Sequence, residues 1–385
     1  MYNTLSQNTV DMIEGDCRCF RALMDFGDFQ ITSDKIYSIQ TDGASCSDED
    51  VTIGGIYSQG ITIEVSEIPC PLEGRVFMLY FYLIDLSLVN SVSDNTDIPL
   101  THYILSEYTH KELSKYTHEG LKKLAELPNR HIPMGQFRVS KCKSKANGYT
   151  ISAGDFLAEA DKQYNSRLSY PVSTKQIEEE ICADLGIENV TRSNFRYITS
   201  DSEVYVTSDD KEYILYDYLT YINERPQKIT KRQMLGYIAA LRGCFAVADR
   251  LGNLKFSWYE NYGFVLQPNR IDVPEFEEKD ITITRIACKI SENKTIYSGK
   301  YGRTMTIENP YMTQQMLNII ATDILPFKYR PARILQRMGD PRIDVWDIVN
   351  YGSFRIPVMN LSYSFDGGLS AEIEASGKTD TESNL

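Results

Sequence analysis

Hydrophobic and polar positions alternate along much of this chain, the pattern of a strand with one buried face. Ile61, Ile63 and Val65 are separated by polar residues. Val358 to Phe365 and Leu369 to Ala375 alternate on either side of Asp366-Gly367-Gly368, a strong hairpin signal. Val76 to Leu83 is almost continuously apolar, which predicts a strand buried on both sides. Ile281 to Ile290 predicts another strand, and Asp42-Gly43 and Gly54-Gly55 mark turns.

The spacing changes in the middle of the chain. Ser173 and Gln176 form a capping box ahead of Ile177, Ile181 and Leu185, and Gly186 ends the pattern. Thr230 and Gln233 repeat this grammar ahead of Met234, Ile238 and Leu241, with Gly243 as the stop. Two apolar runs then flank a turn at Asp249 to Asn253, which predicts a helix followed by a hairpin. Farther on, Asn309-Pro310 is read as a helix start, Met316, Ile320 and Ile324 as its apolar face, and Pro326 as its stop.

The fold class that follows is α+β, mainly β. Residues 1–150 form a β region with a polar insertion at about 85–130, inside which Lys111 to Leu127 has helical spacing. Residues 151–260 form an α/β unit, 261–377 a second β region, and 378–385 a disordered tail.

Composition narrows the classes. The 385 residues are 42% hydrophobic and 24% charged, which supports a substantial core. No apolar run is long enough to span a bilayer, and the longest, Val76 to Leu88, is broken by Asp85. The first residues lack the basic and apolar segments of a signal peptide, so folding in the cytoplasm is expected. Eight scattered cysteines without a C-x-x-C pair favour free thiols over a disulfide framework. A net charge of −13 argues against binding nucleic acid through the overall field, leaves a local basic patch open, and suits a conduit that repels DNA; no specific nucleic-acid binding is expected.

Candidate chemistry is sparse. His102, His110, His118 and His131 fall close together, yet His110 and His118 would sit about 80° apart on a helix. No acidic or cysteine spacing completes a metal set, and solvent-facing histidines are the favoured reading. Asp340, Asp344 and Asp347 could serve acid–base work, but a turn at Gly339-Asp340-Pro341 and a strand Ile343 to Val349 explain them better. Glu178, Glu179 and Glu180 are read as a solvated helix face. Tyr213 to Tyr221 is tyrosine-rich, and β packing is favoured over a sugar- or protein-binding surface. There is no G-x-S-x-G, P-loop or H-E-x-x-H, so no catalytic, cofactor or metal residue is assigned and no enzyme activity is expected.

Five stretches of the sequence, in this order, carry a resemblance: Ile53 to Val65; Ile132 to Val139 with Ile151 to Leu157; Tyr170 to Ile187; Thr230 to Phe256; and Ile307 to Pro310 with Gly339 to Val349. Together they resemble the baseplate hub proteins of phage tails, over roughly Gly54 to Gly377. The resemblance implies two β-barrel-like tube domains flanking or interleaved with the α/β domain. It implies a homotrimeric ring that closes the tail tube and adapts six-fold tube symmetry to a three-fold tip, with a central channel for DNA or tape-measure passage. It implies partners in the tail tube protein, distal tail or baseplate proteins, a spike or fibre and the tape measure protein. The implied location is the virion tail tip, assembled in the host cytoplasm, in a phage, a prophage or a tail-like bacteriocin. The alternative is a host-surface binding module for carbohydrate or protein. A cell-wall hydrolase lacks any nucleophile or metal constellation here.

Overall fold

A computed structural model of the chain describes residues 7–15, 18–43, 51–84, 131–187, 190–192, 204–206, 212–214 and 221–377. The polar insertion at 85–130, its helical spacing and the tail 378–385 lie outside the described residues. Four α-helices occur among the described residues: α1 (Gln7–Glu14), α2 (Thr174–Leu185), α3 (Lys231–Leu241) and α4 (Gln314–Ile324). The rest is mainly strand, as the alternation predicts.

The dominant element is an eleven-stranded sheet. From one edge it runs Glu275–Phe276, Ala332–Gln336, Leu369–Ala375, Asn360–Phe365, Ile36–Asp42, Gly60–Val65, Gly148–Gly154, His131–Lys145, Val76–Ile84, Cys19–Asp25 and Gln30–Thr32. Every neighbouring pair is antiparallel. The order does not return on itself, and among the described residues no closed barrel forms. Strands from both ends of the chain share this sheet. The seam between them is short: Ser364 faces Gln40 and Phe365 faces Ile39. There the Tyr363 amide donates to Thr41 Oγ1 at 2.8 Å, and the Phe81 and Phe365 rings lie 5.5 Å apart.

A second sheet orders Val190–Arg192, Leu254–Ser257, Phe245–Ala248 and Ile56–Tyr57. Its centre is the hairpin expected around Asp249 to Asn253, where the Asp249 amide donates to the Asn253 carbonyl. Ile56–Tyr57 joins it in parallel from the first β region. Behind this sheet, α2 and α3 bury Ile177, Ile181, Met234 and Ile238 in a core of their own. A third sheet orders Lys294–Gly299, Arg285–Ser291 and Thr304–Glu308, with α4 packed beside it.

Four local expectations need correction. Val76–Ile84 is not buried on both sides. Phe77, Leu79, Phe81 and Leu83 are buried, while Met78, Tyr80 and Tyr82 are half-covered. Long apolar side chains on the second face hide the alternation in the sequence. Ile281 to Ile290 breaks at Thr284. Ile281–Ile283 pairs with Phe327–Tyr329, and Arg285–Ser291 turns to pair with Lys294–Gly299. The start of α4 is Thr313, whose hydroxyl accepts from the Met316 amide, and not Asn309-Pro310. Asn309 is fully buried and otherwise engaged: Oδ1 accepts from the Tyr311 amide, and Nδ2 donates to the Tyr237 carbonyl. The strand expected at Ile343 to Val349 begins only at Ile348.

The two capping boxes form as the sequence spells them. Ser173 and Thr230 accept from the amides of Gln176 and Gln233, and each glutamine side chain accepts in return from the cap amide. Each cap contributes about 1 kcal/mol. Gly186 sits at φ 75° and Gly243 at φ 65°. A Cβ at Gly186 would meet nothing within 4 Å, whereas one at Gly243 would meet Ile320 Cγ2 at 3.0 Å. Gly186→Ala should therefore cost about 1–2 kcal/mol of stability, the left-handed penalty alone. Gly243→Ala should cost more, because it adds contact with Ile320. Urea unfolding of both variants checks the order; equal losses would mean that Ile320 yields freely.

Candidate functional site

The three aspartates with the most suggestive spacing lie in one loop between Ala332–Gln336 and Ile348–Tyr351. The turn expected at Gly339-Asp340-Pro341 falls later, at Pro341-Arg342, closed by the Ile343 amide donating to the Asp340 carbonyl at 3.2 Å. Asp340 chelates the Arg342 guanidinium, 2.7 Å at the shortest, and Asp347 Oδ2 accepts from the Asp344 amide at 2.8 Å. Asp344 Oδ1 accepts from Arg250 Nε at 2.6 Å. The same guanidinium donates to the carbonyls of Pro341 and of Ile343, the latter at 2.7 Å. It also reaches the Pro133 carbonyl at 3.4 Å. The Tyr363 hydroxyl, from the neighbouring strand, donates to the carbonyls of Asp340 and Ile343 at 2.9 and 2.8 Å. Lys255 Nζ stands 3.9 Å over the Trp346 ring. Burial pushes the Asp344 carboxyl upward, and Arg250 works against it. All three carboxylates are engaged in holding the loop, so the arrangement is a fastener between the hairpin turn, the loop and the strand from His131.

The acidic run on α2 requires a correction. Only Glu179 is solvated. Glu178 is fully buried, with Oε2 at 2.6 Å from Arg242 Nη2, and that guanidinium lies 4.2 Å from the Phe256 ring centre. Glu180 accepts from the Tyr164 hydroxyl at 2.6 Å and the Arg167 amide at 2.7 Å. Burial opposes the Glu180 carboxylate, but these donors hold it below its usual range. The helical period places Glu178 beside Ile177 and Ile181 on the inner face. Three consecutive charges obscured that.

Of the histidines, His102, His110 and His118 lie outside the described residues. His131 opens a strand beside Tyr80 and Tyr82, and burial lowers its pKa. Most of the tyrosine-rich stretch Tyr213 to Tyr221 also lies outside the described side chains; Tyr221 is exposed. Among the described residues, no group of three or more His, Cys, Asp or Glu side chains could hold a metal ion. No helix there is long and apolar enough to cross a membrane. Among the described residues six cysteines are free thiols; Cys182, Cys244 and Cys288 are buried, and Cys19, Cys70 and Cys142 are half-buried.

Two openings flank the fastener. A cavity of about 40 Å³ reaches Tyr57, Gln136, Asp155, Arg250 and Asp344. Asp155 caps the short 3₁₀ turn Phe156–Glu159, and its carboxylate accepts from the Gln59 amide at 2.7 Å and the Ala158 amide at 3.2 Å. Burial pushes its pKa up to about 7, against these amides and Arg232. A wider groove of about 590 Å³ lies between the end of α1 and segment 262–271, lined among others by Tyr262, Phe264, Arg270 and Arg342. Arg18 and Arg270 donate to the Ile13 carbonyl at 3.3 and 3.0 Å, where cations complement a helix C-terminus. Burial, with Arg270 alongside, lowers the Arg18 pKa to about 10. Sequence reasoning missed Arg18, Arg250, Arg270 and Arg342, because single arginines scattered among loops carry no periodic signal.

The chain is similar in fold to a tail protein of known structure. That protein is described as the tail protein from Neisseria meningitidis MC58; it aligns with TM-score 0.50 and 11% identity, covering 92% of this chain and 95% of that one. The 43 kDa tail protein of prophage MuSo2 from Shewanella oneidensis aligns with TM-score 0.47 and 12% identity, covering 94% and 98%. No family model matches the chain, and no curated protein matches it.

Two measurements test the buried groups. Arg242→Ala removes the guanidinium that pairs with the buried Glu178, and should cost about 3–5 kcal/mol in urea unfolding. Asp155 binds a proton in the folded chain up to about pH 7, whereas an unfolded aspartate releases it near pH 4. Its contribution to stability is therefore full below about pH 4 and is lost as pH rises to about 7. Wild type should gain on Asp155→Asn by on the order of 2 kcal/mol between pH 8 and pH 5. An equal difference at both pH values would mean an ordinary carboxylate.

Proposed function

We propose that this chain is a structural, non-enzymatic subunit of a phage tail or a related particle, and that it works as the tail-tip hub. The observation that carries the reading is the match of fold to the Neisseria meningitidis MC58 tail protein over 92% of this chain. The use of the loop carboxylates as fasteners supports it, because it leaves Asp340, Asp344 and Asp347 no free catalytic pairing.

In this reading three copies form a ring that closes the tail tube. The first and last β regions act as tube domains, so three subunits offer six similar surfaces to a six-fold tube. The α/β unit of 151–260 sits off the ring, and the channel passes DNA or the tape measure protein. The tube protein, distal tail proteins and a spike or fibre are the partners, and the tail tip is the location. A host-surface binding role is the second reading, favoured by the 590 Å³ groove with its aromatic and charged lining.

The test is sedimentation of the purified chain together with labelling of the chain in intact particles viewed by negative stain. Trimer mass and label confined to the tail tip are expected. Label along the tube or on the head would exclude a hub. A monomer that pulls down with isolated cell walls would select the second reading.

A further inference from the structure

The chain carries −13 overall, yet one segment has the opposite sign. Residues 285–303 hold five basic side chains, Arg285, Lys289, Lys294, Lys300 and Arg303, against the single acid Glu292. This segment covers two strands of the third sheet, with Lys294–Gly299 at its edge. Among the described residues no strand pairs with the outer side of that edge. The register puts Arg285, Ala287 and Lys289 on one face with Tyr297 and Thr295. The apolar side chains of the alternate positions, Ile286 and Cys288, are buried on the other. On the open face the Arg285 guanidinium stacks 4.2 Å over Tyr297 and 6.0 Å from Tyr301. Tyr301 is 94% exposed. Lys294, at the turn end of its strand and on the alternate face with Ile296, and Lys300, just past the strand's other end, make no ion pair with any described residue.

A surface of opposite sign lies on the same chain. Residues 272–280 hold five acids, Asp272, Glu275, Glu277, Glu278 and Asp280, against the single base Lys279. Asp272 is engaged by Arg337, and Asp280 by Lys328 and Arg330 at 2.8 and 2.6 Å. Glu277 and Glu278 are exposed and make no ion pair with any described residue. Val273 among them is 91% exposed. This segment forms the outer edge of the main sheet, but its strand is only Glu275–Phe276. Pro274 beside it has no amide to offer, so strand addition is blunted and side chains must make any contact there. No ion pair joins the two segments within one chain.

We propose that the basic hairpin 285–303 of one copy docks on the acidic segment 272–280 of a second copy of this chain. The inference rests on the ring reading and names its contact. Lys294 and Lys300 face Glu277 and Glu278 across the interface, and Tyr301 packs on Val273 inside the charged rim, the usual anatomy of an interface anchor. The two surfaces differ, so the contact is heterologous, the kind that makes a ring when its rotation closes. A second copy fits better than nucleic acid, because the rest of this acidic chain would repel a polyanion.

The test is sedimentation of four full-length proteins at low and high salt, with titration of a DNA duplex alongside. Wild type should associate, and more weakly in high salt. Lys294→Glu with Lys300→Glu should weaken association about tenfold or more, and Glu277→Lys with Glu278→Lys should do the same. The chain carrying all four substitutions should associate again, which a merely misfolded variant would not do. If wild type associates and both reversals associate equally well, the docking surfaces are wrong and the ring reading stands. A wild type that stays monomeric at every concentration overturns both. If the lysine reversal abolishes duplex binding and leaves self-association unchanged, the hairpin is a nucleic-acid surface and the proposal falls.

Discussion

Two residue pairs hold the halves of this molecule in one sheet. Ser364 and Phe365 meet Gln40 and Ile39, and the Tyr363 amide reaches Thr41. Backbone bonds of this kind give only about 0.5–1.5 kcal/mol each. Side-chain burial has to supply the rest. Ile39, Phe81 and Phe365 are at most 2% exposed, and burying such a side chain fully is worth about 1.5–3 kcal/mol. Removing the seam would leave two smaller antiparallel sheets, each with a new bare edge.

The parts beside the sheet are pinned by guanidinium groups. Arg250 ties the hairpin turn to the loop of Asp344. Arg232 donates to the carbonyls of Ile56 and Leu157 at 2.7 and 2.8 Å and pairs with Asp161. Arg18 and Arg270 hold the end of α1. Arginine suits this work because its planar fork of donors can satisfy several carbonyls at once while keeping its charge. Such carbonyls would otherwise be left without partners at the junction of irregular segments, where no ladder reaches them.

The legible parts of the fold were those set by neighbours in sequence. Ser173 with Gln176 and Thr230 with Gln233 specify helix starts within four residues, and Asp366-Gly367-Gly368 specifies a hairpin the same way. Asn309-Pro310 misled because the capping grammar is local, while the fate of Asn309 is decided by Tyr237 on α3. Glu178 misled for the same reason: its partner Arg242 closes a different helix. The loop aspartates engage Arg250, Arg342 and the Asp344 amide, and those arginine partners could not be read from the sequence, since loop contacts have no period. The opposed charges of 272–280 and 285–303 were present in the sequence all along. They stood out only once the ion pairs showed that Lys294, Lys300, Glu277 and Glu278 have no partner of opposite charge among the described residues.

The seam also sets an order of events. Thr41 and Tyr363 lie 322 residues apart in the chain, so the sheet cannot be completed until nearly all of it has left the ribosome. Contacts of such long range make folding slow, because chain entropy must be given up before they return anything. In the interval the strand Ile36–Asp42 has its inner partner Gly60–Val65 but a vacant outer side. A vacant strand edge pairs with whatever strand arrives. On a crowded polysome the competitor is another unfinished copy of the same chain, so the yield of native protein depends on how fast translation delivers the last two strands.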